Sequence, residues 1–169
     1  VSTTGPKYLR FDAQVLPVLY EAGAPDLDVG FHIHRSGEGV CLVATGYMLH
    51  TALKVAENLA AAGHSVGVID LFDISNFAAD QLQAVLSSYK GIVTLEEGFR
   101  GRGGVDSMLF EFIARRSMAA RMLNIGVEGA YRFELGSRAE LHEQVGIGPE
   151  FVLRSVTTFI QLLKIKLEN

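Results

Sequence analysis

A three-layer α/β/α domain on a mostly parallel five-stranded sheet is the fold this 169-residue sequence predicts, and three observations predict it. Short apolar runs such as Val40-Cys41-Leu42-Val43-Ala44 show no polar alternation, as expected of strands buried on both faces. These runs alternate with segments whose apolar residues recur at helical spacing. Glycine and turn signals separate the two kinds of segment. Strands that alternate with helices imply right-handed crossovers, hence parallel neighbours covered on both sides.

Each element follows from its residues. Residues 1–30 are the least regular, with Pro6, Pro17 and Pro25 between short apolar pieces; they read as a connection that wraps the domain, with a possible strand at Tyr8–Phe11. The folded unit is expected over 31–169. Phe31–His34 is a short edge strand, and Ser36-Gly37-Glu38-Gly39 a turn. The buried strand Val40–Thr45 is broken by Gly46, and Leu49, Ala52, Leu53, Ala56, Leu59 and Ala60 then line one helix face. Gly63 stands where a left-handed helix end belongs. Val66–Leu71 is a second buried strand, and Leu82, Val85 and Leu86 mark a helix. Gly91–Leu95 is a third strand. A glycine-rich loop then leads to a helix carrying Met108, Leu109, Phe112 and Ile113, and Met122–Ile125 is a fourth. These four strands are expected to be adjacent and central. Ser137-Arg138-Ala139-Glu140 is a capping box, and Gly148-Pro149-Glu150 opens the last helix, where a missing amide proton costs nothing.

Hydrophobic residues make up 49% of the chain and charged ones 20%, which suits a folded domain with a real core. The net charge is −4 and Lys and Arg form no cluster, which argues against nucleic acid or an anionic membrane as partner. No apolar stretch is long enough to span a bilayer. Cys41 is the lone cysteine, so an intramolecular disulfide is excluded and a cytoplasmic setting is expected. Val1 in place of methionine fits a chain cut from something longer.

Ligands of such sheets gather at the carboxyl ends of the strands, here Thr45-Gly46, Asp70 with Asp73, and Glu96-Glu97. Gly98-Phe99-Arg100-Gly101-Arg102-Gly103-Gly104 lets the backbone approach a partner closely, and two guanidinium groups beside a helix start suit phosphate or carboxylate. The plainer reading is a tight connection whose glycines solve a packing problem. The glycine spacing fits neither a Walker loop nor a dinucleotide fingerprint. Glu96 and Glu97 should point to opposite faces and form no catalytic pair. His32 and His34 share a face, without a third metal ligand at suitable spacing. His50, His64 and His142 read as surface or capping residues, and Cys41 as a core residue. No catalytic residue and no metal ligand is assigned.

Five stretches in order resemble one family. They are Gly5-Pro6-Lys7-Tyr8-Leu9-Arg10, then Gly39 to Met48, then Val66–Leu71 with Asp73-Ile74-Ser75-Asn76-Phe77. Val93-Thr94-Leu95-Glu96-Glu97-Gly98 with Gly103-Gly104-Val105-Asp106-Ser107 follows, and the last is Asn124 to Val127 with Phe133-Glu134-Leu135-Gly136-Ser137. Together they resemble the carboxy-terminal domain of transketolase-like thiamine-diphosphate enzymes. The ending is most similar to 1-deoxyxylulose-5-phosphate synthases and 2-oxoacid dehydrogenase beta chains. Asn76, Asp106 and Leu135 depart from the usual proline, glycine and histidine, and Arg10 lacks the second arginine common just after it. The resemblance implies a parent enzyme that uses thiamine diphosphate and Mg²⁺, both held by earlier domains, and moves a ketol or acyl unit between sugars or 2-oxoacids. For this chain it implies dimer contacts, a wall near the active site and no catalysis alone, with the preceding domains and a second copy as partners. Arg10, Arg100, Arg102, Gly103 and Gly104 are the expected substrate- or anion-binding residues. The alternative is a free-standing module that binds an anion or small ligand.

Overall fold

The structure, a computed structural model, describes residues 4–20, 23 and 25–165. Five strands form one sheet: β1 (Phe31–Arg35), β2 (Val40–Ala44), β3 (Gly67–Leu71), β4 (Gly91–Phe99) and β5 (Arg121–Val127). The helices are α1 (Met48–Ala61), α2 (Ala79–Leu86), α3 (Val105–Arg115), α4 (Arg138–Gln144) and α5 (Pro149–Ile165). The strand order is β1-β3-β2-β4-β5. All neighbours run parallel except β1, which is antiparallel to β3 with Phe31 opposite Leu71. The four expected strands are adjacent, but β5 closes the edge of the sheet and is not central.

Side-chain alternation along the strands divides the core in two. Leu42, Ala44, Val68, Val93 and Leu95 face α1 and α5, with Leu49, Ala52, Leu59, Val152 and Val156 packed on them. Cys41, Val43, Ile69, Leu71 and Ile92 face α2 and α3, against Leu82, Leu86, Leu109 and Ile113. Every residue of β2 and of β3 is buried, which is why neither shows a polar alternation. Burial also pushes the Cys41 thiol up.

Two expectations are corrected. Tyr8–Phe11 is no strand: Tyr8 and Phe11 are 90% and 84% exposed, so no burial offsets the entropy of ordering a ladder there. His142 is not a surface residue but buried, and His50 is half-buried. His142 is drawn inward by Glu97 at the carboxyl edge of the sheet, 45 residues away in the chain. The punctuation signals hold: Gly63 takes φ +82° after α1, and Ser137 with Glu140 forms the capping box. Among the described residues no helix is long and apolar enough to cross a membrane.

Candidate functional site

The carboxyl ends of β2, β3 and β4 carry the polar side chains that the packed interior excludes. Glu96 and Glu97 end the buried part of β4 and, as strand geometry requires, go separate ways. Glu96 is buried and accepts the amides of Val105 at 3.1 Å and Asp106 at 2.9 Å, so it caps α3 with its carboxylate. Gly104 makes room for this: a Cβ there would lie 2.3 Å from Glu96 Oε2. Burial raises the Glu96 pKa, and the amide hydrogen bonds only partly offset it.

Glu97 turns to the opposite face and is the hub of a second cluster. Arg138, at the start of α4, donates to it as a fork, Nε to Oε1 at 2.7 Å and Nη2 to Oε2 at 2.6 Å. Buried His142, one turn further along α4, places Nε2 2.8 Å from Glu97 Oε1. The Arg138 guanidinium also stacks 3.9 Å from the centre of the Tyr47 ring, just ahead of α1. Its remaining nitrogen, Nη1, donates to Asp12 Oδ2 at 2.6 Å. Burial works against the charged form of Glu97, but the bonds from Arg138 and His142 outweigh it and hold the carboxyl below its ordinary pKa.

A third cluster lies at the end of β3. Buried Asp70 accepts a hydrogen bond from the Tyr20 hydroxyl, and the Tyr20 ring rests on His32 and His34 at 5.2 and 4.9 Å. Burial raises the Asp70 pKa despite that hydrogen bond. It lowers that of His34, helped by the neighbouring charge of His32, and His34 Nε2 is buried without a partner. His50 links the two clusters: its ring is 5.8 Å from that of Tyr47, and it feels the charges of both Asp12 and Asp70.

The sequence-selected residues are dispersed around this edge. Arg100 and Arg102 are exposed on the loop between β4 and α3, where Arg100 Nη2 lies 2.9 Å from Glu128. The Gly103 amide donates to Ser107 Oγ at 3.1 Å, and Gly104 is the residue ahead of α3. Arg10 is exposed on the amino-terminal segment, where its charge reaches Asp12. Spacing alone did not find the Glu97–Arg138–His142 and Tyr20–Asp70 groups. The signal was half present, since Asp70 and Glu97 stand at strand ends, but their partners lie elsewhere in the chain. Among the described residues no three His, Cys, Asp or Glu side chains gather as a metal site.

The sequence model of a family described as transketolase, C-terminal domain, matches residues 30–152. The chain belongs to that family. This transketolase C-terminal domain is 31% identical over 120 residues to 1-deoxy-D-xylulose-5-phosphate synthase of Aquifex aeolicus, covering 71% of the chain and 19% of that enzyme. Against the synthase of Pseudomonas syringae pv. syringae it is 27% identical over 162 residues, 95% of the chain and 25% of the enzyme. The chain thus spans a quarter or less of the length of these curated relatives. Solved structures share its fold. A split-gene transketolase described as an inactive beta4 tetramer superposes with TM-score 0.76 at 22% identity, over 87% of this chain and 47% of that one. A transketolase variant from Pichia stipitis gives 0.66 at 18% identity, over 89% and 21%.

Proposed function

We propose that the chain is the carboxy-terminal part of a transketolase-like, thiamine-diphosphate-dependent transferase that moves a ketol or acyl unit between sugars or 2-oxoacids. It contributes subunit contacts and a wall of the active site, and does not catalyse alone. The observation that carries this reading is the family match over 30–152, in a chain that covers only 19–25% of the length of its enzyme relatives. Residues 1–30 then serve as the connection from a cofactor-binding domain or subunit, and 31–169 as the folded unit. The split-gene neighbour, described as an inactive beta4 tetramer, supports the idea that such a part needs the remainder of the enzyme.

Exposed apolar residues at the carboxyl edge support a docking role. Tyr131, Phe133 and Leu135, between β5 and α4, are 92%, 87% and 92% exposed. Surface of this kind commonly meets another protein surface. In the assembled enzyme Arg10, Arg100 and Arg102, with the backbone at Gly103 and Gly104, are the residues proposed to meet an anionic substrate group, Arg100 exchanging Glu128 and the Gly103 amide exchanging Ser107 for it. The lone, buried Cys41 suits a reducing, cytoplasmic setting.

Calorimetry with thiamine diphosphate and Mg²⁺ tests the reading. The chain alone should give no saturable heat and no turnover of a ketose donor, and both should appear on mixing with a cofactor-binding portion of a transketolase-like enzyme. Micromolar binding of the cofactor by the chain alone would overturn it.

A further inference from the structure

We propose that Arg138 is a positioning residue: it clasps the amino-terminal segment as a strap across the carboxyl edge of the sheet and so sets where Arg10 stands. The guanidinium is fixed from the domain side. Two of its nitrogens are committed to Glu97 in a fork, and its face is stacked on Tyr47. That leaves Nη1 aimed at the strap, where it meets Asp12 Oδ2 at 2.6 Å and Gln14 Oε1 at 3.4 Å. The strap presents a matching shape, because Asp12 Oδ1 accepts the Gln14 amide at 2.8 Å and turns the carboxylate toward Arg138.

Burial does not hold this half of the strap. Every residue from 4 to 15 is exposed, and apolar packing begins only further on, where Leu19 rests against the core. The Tyr20–Asp70 hydrogen bond provides a second anchor eight residues beyond Asp12, so the strap is held at both ends of that span. What separates this pair from a loose surface contact is its arginine end: the Arg138 side chain is 27% exposed and cannot swing away without breaking its Glu97 fork. With two carboxylates already on one guanidinium, an external anion gains little there, which favours a clasp over a ligand site. The significance of Arg10 rests on the proposed function; the clasp itself does not.

Limited trypsin digestion of the full chain reads the clasp directly, since Lys7 and Arg10 lie on the strap. Asp12→Asn keeps the Gln14 turn but removes the charge facing Arg138. It should speed cleavage after Arg10 by about two- to fivefold, and hydrogen exchange of residues 8–14 likewise, with an unchanged melting temperature. Asp12→Glu should restore protection, and Arg138→Gln should lose both protection and thermal stability. Equal cleavage and exchange in wild type and Asp12→Asn would overturn the proposal. So would a fall in melting temperature for Asp12→Asn that accounts for the faster cleavage. Neither measurement needs cofactor or partner, so failure here leaves the family-based function intact.

Discussion

At the end of β4, adjacent carboxylates titrate in opposite directions because the strand sends them to different surroundings. Glu96 is raised by burial and serves α3; Glu97 is lowered by Arg138 and His142 against the pull of burial. The second shift has a consequence for stability. A carboxyl whose pKa is lower in the folded chain stabilises it above the unfolded value, and this contribution is lost as pH falls through the folded value. Glu97→Gln removes the charge beneath Arg138 and should cost about 1–2 kcal/mol at pH 7. In a domain of this size that lowers the melting temperature by roughly 3–6 °C. The gap between variant and wild type should narrow as pH falls below 4.5, the ordinary value of Glu97. Thermal melts from pH 7 to pH 3 measure it, and a constant gap would refute the assignment. The opposed directions of Glu96 and Glu97 were legible from the two-residue period of a strand. Arg138 as the partner of Glu97 was not, because 41 residues separate them and only tertiary packing brings them together.

α4 shows how a short element can matter beyond its length. It has seven residues, too few to be stable alone, yet it carries both Arg138 and His142 to Glu97. Its first turn is held by the Ser137 capping box, with Glu140 Oε2 accepting the Ser137 amide at 2.8 Å. Ser137→Ala should cost about 0.5–2 kcal/mol and loosen the Arg138 fork with it. The expected outcome is faster amide exchange across residues 138–144 with α5 unaffected; uniform exchange would place the stability of α4 elsewhere. This capping box was readable in the sequence, as was the alternation of buried strands and amphipathic helices. The ends of β4 and β5 were not. β4 continues through Glu97 to Phe99, and β5 spans Arg121–Val127 around the expected Met122–Ile125. Phe99 pairs with Val127 beyond an irregularity in register, and hydropathy does not report such pairing. Tyr8–Phe11 shows the converse: residues of strand-like type form no strand without a partner ladder.

For the molecule as a whole, the clearest expectation is self-association. The loop bearing Tyr131, Phe133 and Leu135 leads into Arg138, the strap bearing Tyr8, Phe11 and Val15 carries its partner Asp12, and all six side chains are more than 80% exposed. Symmetric pairing is the usual way to cover such surface. Sedimentation should show a dimer at high concentration, and a strict monomer would mean that these residues await a different surface. The reversed edge strand has a practical corollary for handling the protein. Because β1 starts opposite the end of β3, the chain enters the sheet at its carboxyl edge. A parallel edge strand would have brought it in about 17 Å away, at the other end of a five-residue strand. α5 instead runs down to Lys164, which shares a hollow with Gly39, Val40 and Ser65 at the amino edge. A fluorescent or affinity label carried at Lys164 would therefore lie at the amino edge and leave the polar clusters of the carboxyl edge uncovered, whereas one on the strap beside Asp12 would sit against them.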